Sequence, residues 1–134
     1  MKADEELRNL LWDMSNRLDA IEGTVTAIAR SNPKPIVDGY EKVVRADPII
    51  GHIYLQLNGE RTQKQITEAV AATGVQTSPQ AVGRWLKKMT RELWMAVPVD
   101  APGGGLVWAQ PSEAERVFHL SRHVRKWLGV KESP

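Results

Sequence analysis

Residues 62–94 read TQKQITEAVAATGVQTSPQAVGRWLKKMTRELW, and this stretch decides the fold. Thr62-Gln63-Lys64-Gln65 has the spacing of a capping box, with Thr62 as N-cap and Gln65 at N3. The helix it opens turns Ile66, Ala69 and Val70 inward and ends near Thr73-Gly74. After a short turn, Ser78-Pro79 repeats the start signal, a capping hydroxyl followed by proline at N1. Val82, Leu86, Met89 and Leu93 then fall at spacings of 4, 3 and 4, one apolar face of a second helix. With that face inward, Gln80, Ala81, Arg84, Lys87, Lys88 and Arg91 project elsewhere.

Downstream of this pair the period changes. Trp94 to Val99 is a β-prone run, Asp100-Ala101-Pro102-Gly103-Gly104-Gly105 a turn, and Leu106 to Ala109 a second β run. The reading is a hairpin with a flexible tip, in which Pro98 suits an edge strand. Ser112 is expected to cap one last helix over 112–130, with Glu113 and Glu115 early and Arg125 and Lys126 late. Its apolar face is Val117, Leu120, Val124, Trp127 and Leu128.

Upstream, Ile36, Val37, Tyr40, Val43 and Val44 predict a short amphipathic helix over 36–46. Asp47-Pro48 starts another, with Ile49, Ile50, Ile53 and Leu57 on one face, and Asn58-Gly59 stops it. Asn32-Pro33-Lys34-Pro35 reads as the boundary to a leading helix, because two prolines so close cannot continue one.

The leading segment, 1–31, carries Leu7, Leu11, Met14, Leu18, Ile21, Val25 and Ile28, with gaps alternating 4 and 3. That is an unbroken heptad seam, with Leu11, Leu18 and Val25 at a and the others at d. A helix over 3–31 is about 43 Å long and cannot bury so narrow a stripe alone. Self-association is the expected answer. Packing against the chain's own C-terminal helix is the alternative. Arg17 at g and Glu22 at the next e have the spacing of an interchain pair in a parallel dimer. Leu10 and Trp12 lie beside the seam.

The order helix, helix, turn, helix, hairpin, helix resembles a winged helix-turn-helix domain. The stretch Val82-Gly83-Arg84-Trp85-Leu86-Lys87-Lys88-Met89 is similar to the recognition-helix pattern of MarR-type and ArsR-type transcriptional regulators. The resemblance covers about residues 36–128. Two departures stand out. The turn between Gly74 and Ser78 is about two residues longer than usual. The tip from Asp100 to Gly105, with Gly103, Gly104 and Gly105, has no Lys or Arg, whereas family wings often carry one.

The expected architecture is mostly α with a β-hairpin wing. A coiled-coil helix (1–31) precedes a winged helix-turn-helix domain (36–111) and a C-terminal helix (112–130). The expected function is sequence-specific binding of double-stranded DNA by a homodimer, in transcription regulation, with helix 79–93 in the major groove. Gln80 suits adenine and Arg84 suits guanine, each bidentately. Lys87, Lys88 and Arg91 suit phosphates, and Thr62, Ser78 and Gln80 stand at helix N-termini where amides can grip them. Ala81 and Gly83 are small enough to let the helix approach the groove.

Two other classes compete. One is a protein-interaction adaptor, favoured by the neutral tip and by Trp12, Trp85, Trp94 and Trp127. The other is an architectural or replication-linked binder without sequence preference.

The chain has 134 residues, a formal net charge of +2 and no cysteine, which excludes disulfides, thiolate zinc sites and a cysteine nucleophile. Charge is uneven. Residues 1–31 hold four Lys/Arg against six Asp/Glu, and residues 32–134 hold fourteen against ten. The acidic start, Met1 to Glu6, lacks an apolar run, so no signal peptide, no membrane partner and a cytoplasmic location are expected. Glu115, His119 and His123 fall at i, i+4 and i+8, a spacing that offers three ligands on one helix face. Exposed or dimer-facing polar residues are the simpler reading, and no metal or cofactor is expected. His52 reads as helix-surface or half-buried. No catalytic arrangement is visible: the glycines at 103–105 open no helix, and there is no nucleophile elbow. An enzyme is not expected.

The seam generates the first prediction. Leu18→Asp places a charge at an a position and should convert a dimer to a monomer, halving the mass by light scattering. An unchanged mass would show that any dimer is built elsewhere.

Overall fold

A computed structural model describes residues 5–13 and 32–130. The chain divides into two compact units, Met1–Pro35 and Ile36–Pro134. In the first, residues 5–13 are helical (α1). Leu7, Leu10, Leu11 and Trp12 on it are 55–71% exposed. Of the predicted seam, Met14, Leu18, Ile21, Val25 and Ile28 lie outside the described residues.

The second unit is mostly helical with one small antiparallel hairpin. Helix α2 spans Lys34–Ala46, α3 Pro48–Leu55, α4 Gln63–Ala72 and α5 Pro79–Lys88. A π turn, Met89–Leu93, follows α5 directly. Strands β1, Val97–Asp100, and β2, Leu106–Ala109, come next, then α6, Ser112–Phe118, and α7, Leu120–Leu128. The sequence placed the start of α2 two residues late. Pro35 sits in its first turn, where a missing amide costs no helical bond.

Helix α3 is the hub. Ile50, Gly51, Ile53 and Tyr54 are all buried. Gly51 makes this possible: a methyl group there would lie 3.0 Å from Leu128 Cδ1, 3.0 Å from Val44 Cγ1 and 3.1 Å from Val124 Cγ1. Helices α2, α3 and α7 therefore meet at a point with no room for a side chain. Around α3 the core closes with Ile66 and Val70 of α4 and Val82 and Leu86 of α5. Asp47 precedes Pro48 as expected, but its side chain makes no capping hydrogen bond.

In the hairpin, Val97 faces Ala109, Pro98 faces Trp108, Val99 faces Val107 and Asp100 faces Leu106. Trp108 is bonded on its other side: its N–H donates to Arg61 O (3.1 Å) and its carbonyl accepts from Gly59 N (2.8 Å). The Pro98–Trp108 pair is thus one that needs no bond across β1 and β2. Proline's missing donor is tolerated there, on the edge strand. Asn58 Oδ1 accepts from Glu60 N and Arg61 N, which shapes the turn that brings Arg61 beside β2.

Two expected element bounds fail, for physical reasons. The β run does not begin at Trp94. The π turn ends there in the left-handed region (φ 53°), Met95 N donates back to Met89 O at 2.8 Å, and pairing starts at Val97. The last helix is not continuous over 112–130. His119 (φ 51°) separates α6 from α7. Phe118 and Leu120 are both buried, yet two residues apart on one helix they would point about 200° from each other. The break lets both face inward. Ser112 does not cap α6. The cap that matters is on α7, where Glu115 Oε2 accepts from Ser121 N at 2.9 Å. Burial, with the Glu115 carboxylate beside it, pushes the Tyr54 phenol above its ordinary range, so it stays neutral.

Gly51→Ala should overpack the three-helix crossing and destabilise the fold by about 1–3 kcal/mol. Urea denaturation reads this directly, as a lower midpoint at unchanged slope.

Candidate nucleic-acid interface

The candidate surface is the outer face of α5 and its π turn. Ser78 Oγ accepts from Ala81 N (3.2 Å), so the helix starts where the sequence placed it. Val82, Leu86 and Met89 have no solvent exposure. Their burial fixes the rotation of the helix. Arg84, Lys87, Lys88 and Arg91 stand at i, i+3, i+4 and i+7, all exposed, with exposed Gln80 one turn before them. None of these four cations joins an ion pair among the described residues. Glu41–Arg45 and Glu113–Arg116 are local pairs on α2 and α6. The stripe keeps its full charge.

Helix α4 supports α5 from its N-terminal end. The capping box forms in both directions: Gln65 N donates to Thr62 Oγ1 (3.3 Å), and Thr62 N donates to Gln65 Oε1 (2.9 Å). Gln63 Nε2 donates to Pro79 O at 2.6 Å, which ties the first turns of the two helices together. Thr62 and Ser78 are exposed, and each hydroxyl oxygen serves as a cap acceptor, which leaves its hydrogen available to solvent or ligand.

The structure corrects one role. Gly83 is half-buried, and a methyl group on it would lie 2.6 Å from Gln63 Nε2. Its smallness serves the packing of α5 on α4, not an approach to a groove. Ala81, two residues before it, is half-buried as well. Sequence reasoning missed Gln63 as the link between the helices, because its acceptor lies sixteen residues away. It also missed the contact of Lys88 with Trp85, whose ring centroid is 5.6 Å from Nζ, although the i, i+3 spacing was a signal for it.

The hairpin tip offers no positive charge. Gly103, Gly104 and Gly105 are exposed, with Gly104 and Gly105 at φ +94° and +79°. Ala101 N donates to Gly105 O and Gly104 N to Ala101 O, both at 3.0 Å. Val99 and Leu106 at its base are 40% and 49% exposed.

Glu115, His119 and His123 do not share a helix face. The chain breaks at His119, the Glu115 carboxylate is engaged by Ser121 N, and the His123 ring stacks on Trp127 at 5.6 Å. Among the described residues no cluster of His, Asp and Glu is placed to hold a metal ion. His52 is half-buried on α3, and burial lowers its pKa below the usual imidazole value. No described helix is long and apolar enough to cross a membrane.

Comparison with protein-family models, with curated proteins and with solved structures gave no match to this chain.

Gly83→Ala should displace the Gln63 carboxamide and break its exposed bond to Pro79, a loss of about 1 kcal/mol that the gain of alanine over glycine in a helix, also about 1 kcal/mol, largely offsets, so the melting temperature should move little. Thermal melting checks this. The combination Gln63→Ala with Gly83→Ala should cost less than the two single changes added together, because both act on one contact.

Proposed function

We propose that this protein binds double-stranded DNA, with α5 as the helix that enters the major groove. One observation carries the reading: four cations with no ion pair among the described residues, and a glutamine, lie on the outer face of α5 and its π turn, whose opposite face, Val82, Leu86 and Met89, is completely buried. An α-helix fits the major groove, and residues near its N-terminus meet base edges. Gln80 and Arg84 occupy that end. Lys87, Lys88 and Arg91 lie further along and neutralise phosphates, which positions the protein without reading sequence.

The order of elements supports a winged helix-turn-helix. After α3 comes the Arg61 bridge to Trp108, then α4, α5, β1 and β2, with β2 between Arg61 and β1. The exposed Leu7 and Leu11 on α1 support a homodimer through the heptad seam. Two copies of α5 then read two half-sites, about 34 Å or a multiple of it apart. Transcription regulation in the cytoplasm is the role this arrangement suits.

A second reading rests on the hairpin. A tip without cations, flanked by exposed Val99 and Leu106, suits a protein partner better than a minor groove. On that reading the fold is an adaptor, and losing the α5 cations leaves partner capture intact.

Selection of bound duplexes from a random pool tests the proposal, and competition with random DNA separates specific from architectural binding. Arg84→Ala should relax preference at one base pair of each half-site and weaken the selected sequence by about 1–3 kcal/mol. No binding to any duplex at low salt counts decisively against the whole reading.

A further inference from the structure

Lys88 differs from its neighbours on the stripe. Its ammonium sits over the Trp85 ring, 5.6 Å from the centroid. Trp85 is half-buried and packed on the core, so its ring is more restrained than the exposed lysine chain beside it. A carboxylate stands at i+4, Glu92, yet no ion pair joins it to Lys88 among the described residues. The lysine is held, and its holder is uncharged.

The distinction has a consequence for an anionic ligand. A carboxylate would restrain the ammonium but cancel its charge, and a phosphate would have to displace it. An aromatic face attracts the cation through its quadrupole and leaves the net charge intact. A lysine already restrained also loses less rotamer freedom when it meets a phosphate.

We propose that Trp85 is a positioning residue, holding the Lys88 ammonium at full charge on the outer face of α5 for a phosphate of duplex DNA. This rests on the DNA-binding reading above, and the test separates the two.

The experiment measures anisotropy of the full chain on its selected duplex across a salt series. It compares wild type, Lys88→Ala, Trp85→Phe, Trp85→Leu and the double variant Trp85→Leu/Lys88→Ala. Lys88→Ala should flatten the log–log salt slope by about one. Trp85→Phe should bind nearly as wild type, because it keeps a π face. Trp85→Leu should weaken binding about 2–5-fold. In the Lys88→Ala background the same change should do nothing. Where leucine does not fold, Trp85→Met supplies an apolar side chain of similar reach without a ring. In the free protein, ring current should move the Lys88 ε-methylene proton signals upfield, and the shift should vanish in Trp85→Leu or Trp85→Met.

Three results overturn the positioning role alone. These are no upfield shift in the wild type, unchanged affinity on loss of the ring, or an equal loss with and without Lys88. If the wild type binds no duplex at low salt, the DNA-binding reading fails and this one fails with it.

Discussion

Helix α3 has only eight residues, and the fold depends on how closely its neighbours can approach it. The crossing at Gly51 sets that distance. Val44 from α2 and Val124 and Leu128 from α7 all press on a position with no Cβ. With α2 and α7 fixed on that side, α3 also packs on α4 and α5, where Ile66, Val70, Val82 and Leu86 close the core. The orientation of α5 then follows. Its three fully buried side chains allow one rotation, and that rotation sends every cation of the helix to solvent. The charge pattern of the surface is therefore a result of packing at the centre, carried outward through one helix.

A second chain of dependence runs through β2. Trp108 is bonded to Arg61 and Gly59, so the hairpin is fastened to the loop that precedes α4. That loop ends at the Thr62 cap, and α4 is tied to α5 by Gln63. Hairpin and cationic helix are thus connected through hydrogen bonds at Arg61 and Gln63, not only by the chain from Met89 to Ala96 between them. The tip beyond Asp100 has no such fastening outside its own turn.

How much of this was legible in the sequence depended on how local each cause is. The Thr62 box, the Ser78 cap and the helix stop before Gly74 are set by residues within four positions, and all three were read correctly. The apolar face of α5 was legible from its spacing. The break at His119 was not. It answers to the burial of Phe118 against Tyr40 and of Leu120 in the core, and α7 is capped by a carboxylate six residues back along the chain. Helix propensity over 112–128 shows no reason to stop there. Gly83 was misassigned for the same reason: its constraint comes from Gln63, on another helix. The candidate cations were legible as residues, but their freedom from ion pairs and the hold of Trp85 on Lys88 needed coordinates.

On the proposed reading, the electrostatics limit how tightly one copy of this surface would bind DNA. Four cations on one helix, with none on the hairpin tip, can release about four counterions from B-DNA, a salt slope near −3.6 for a single copy. That is fewer than the six to ten phosphate contacts over which binding becomes strongly salt-dependent. The remedy available to this chain is repetition. A second copy doubles the phosphates engaged and makes the later contact intramolecular, with a gain set by the distance between the two α5 helices. The heptad pattern of the leading segment is the feature that would supply a second copy, and the exposed Leu7 and Leu11 are the part of it within the described residues. If α5 binds duplex DNA as proposed, the seam becomes a condition of that function, because a weakly basic domain with a neutral tip would gain useful affinity by acting in pairs.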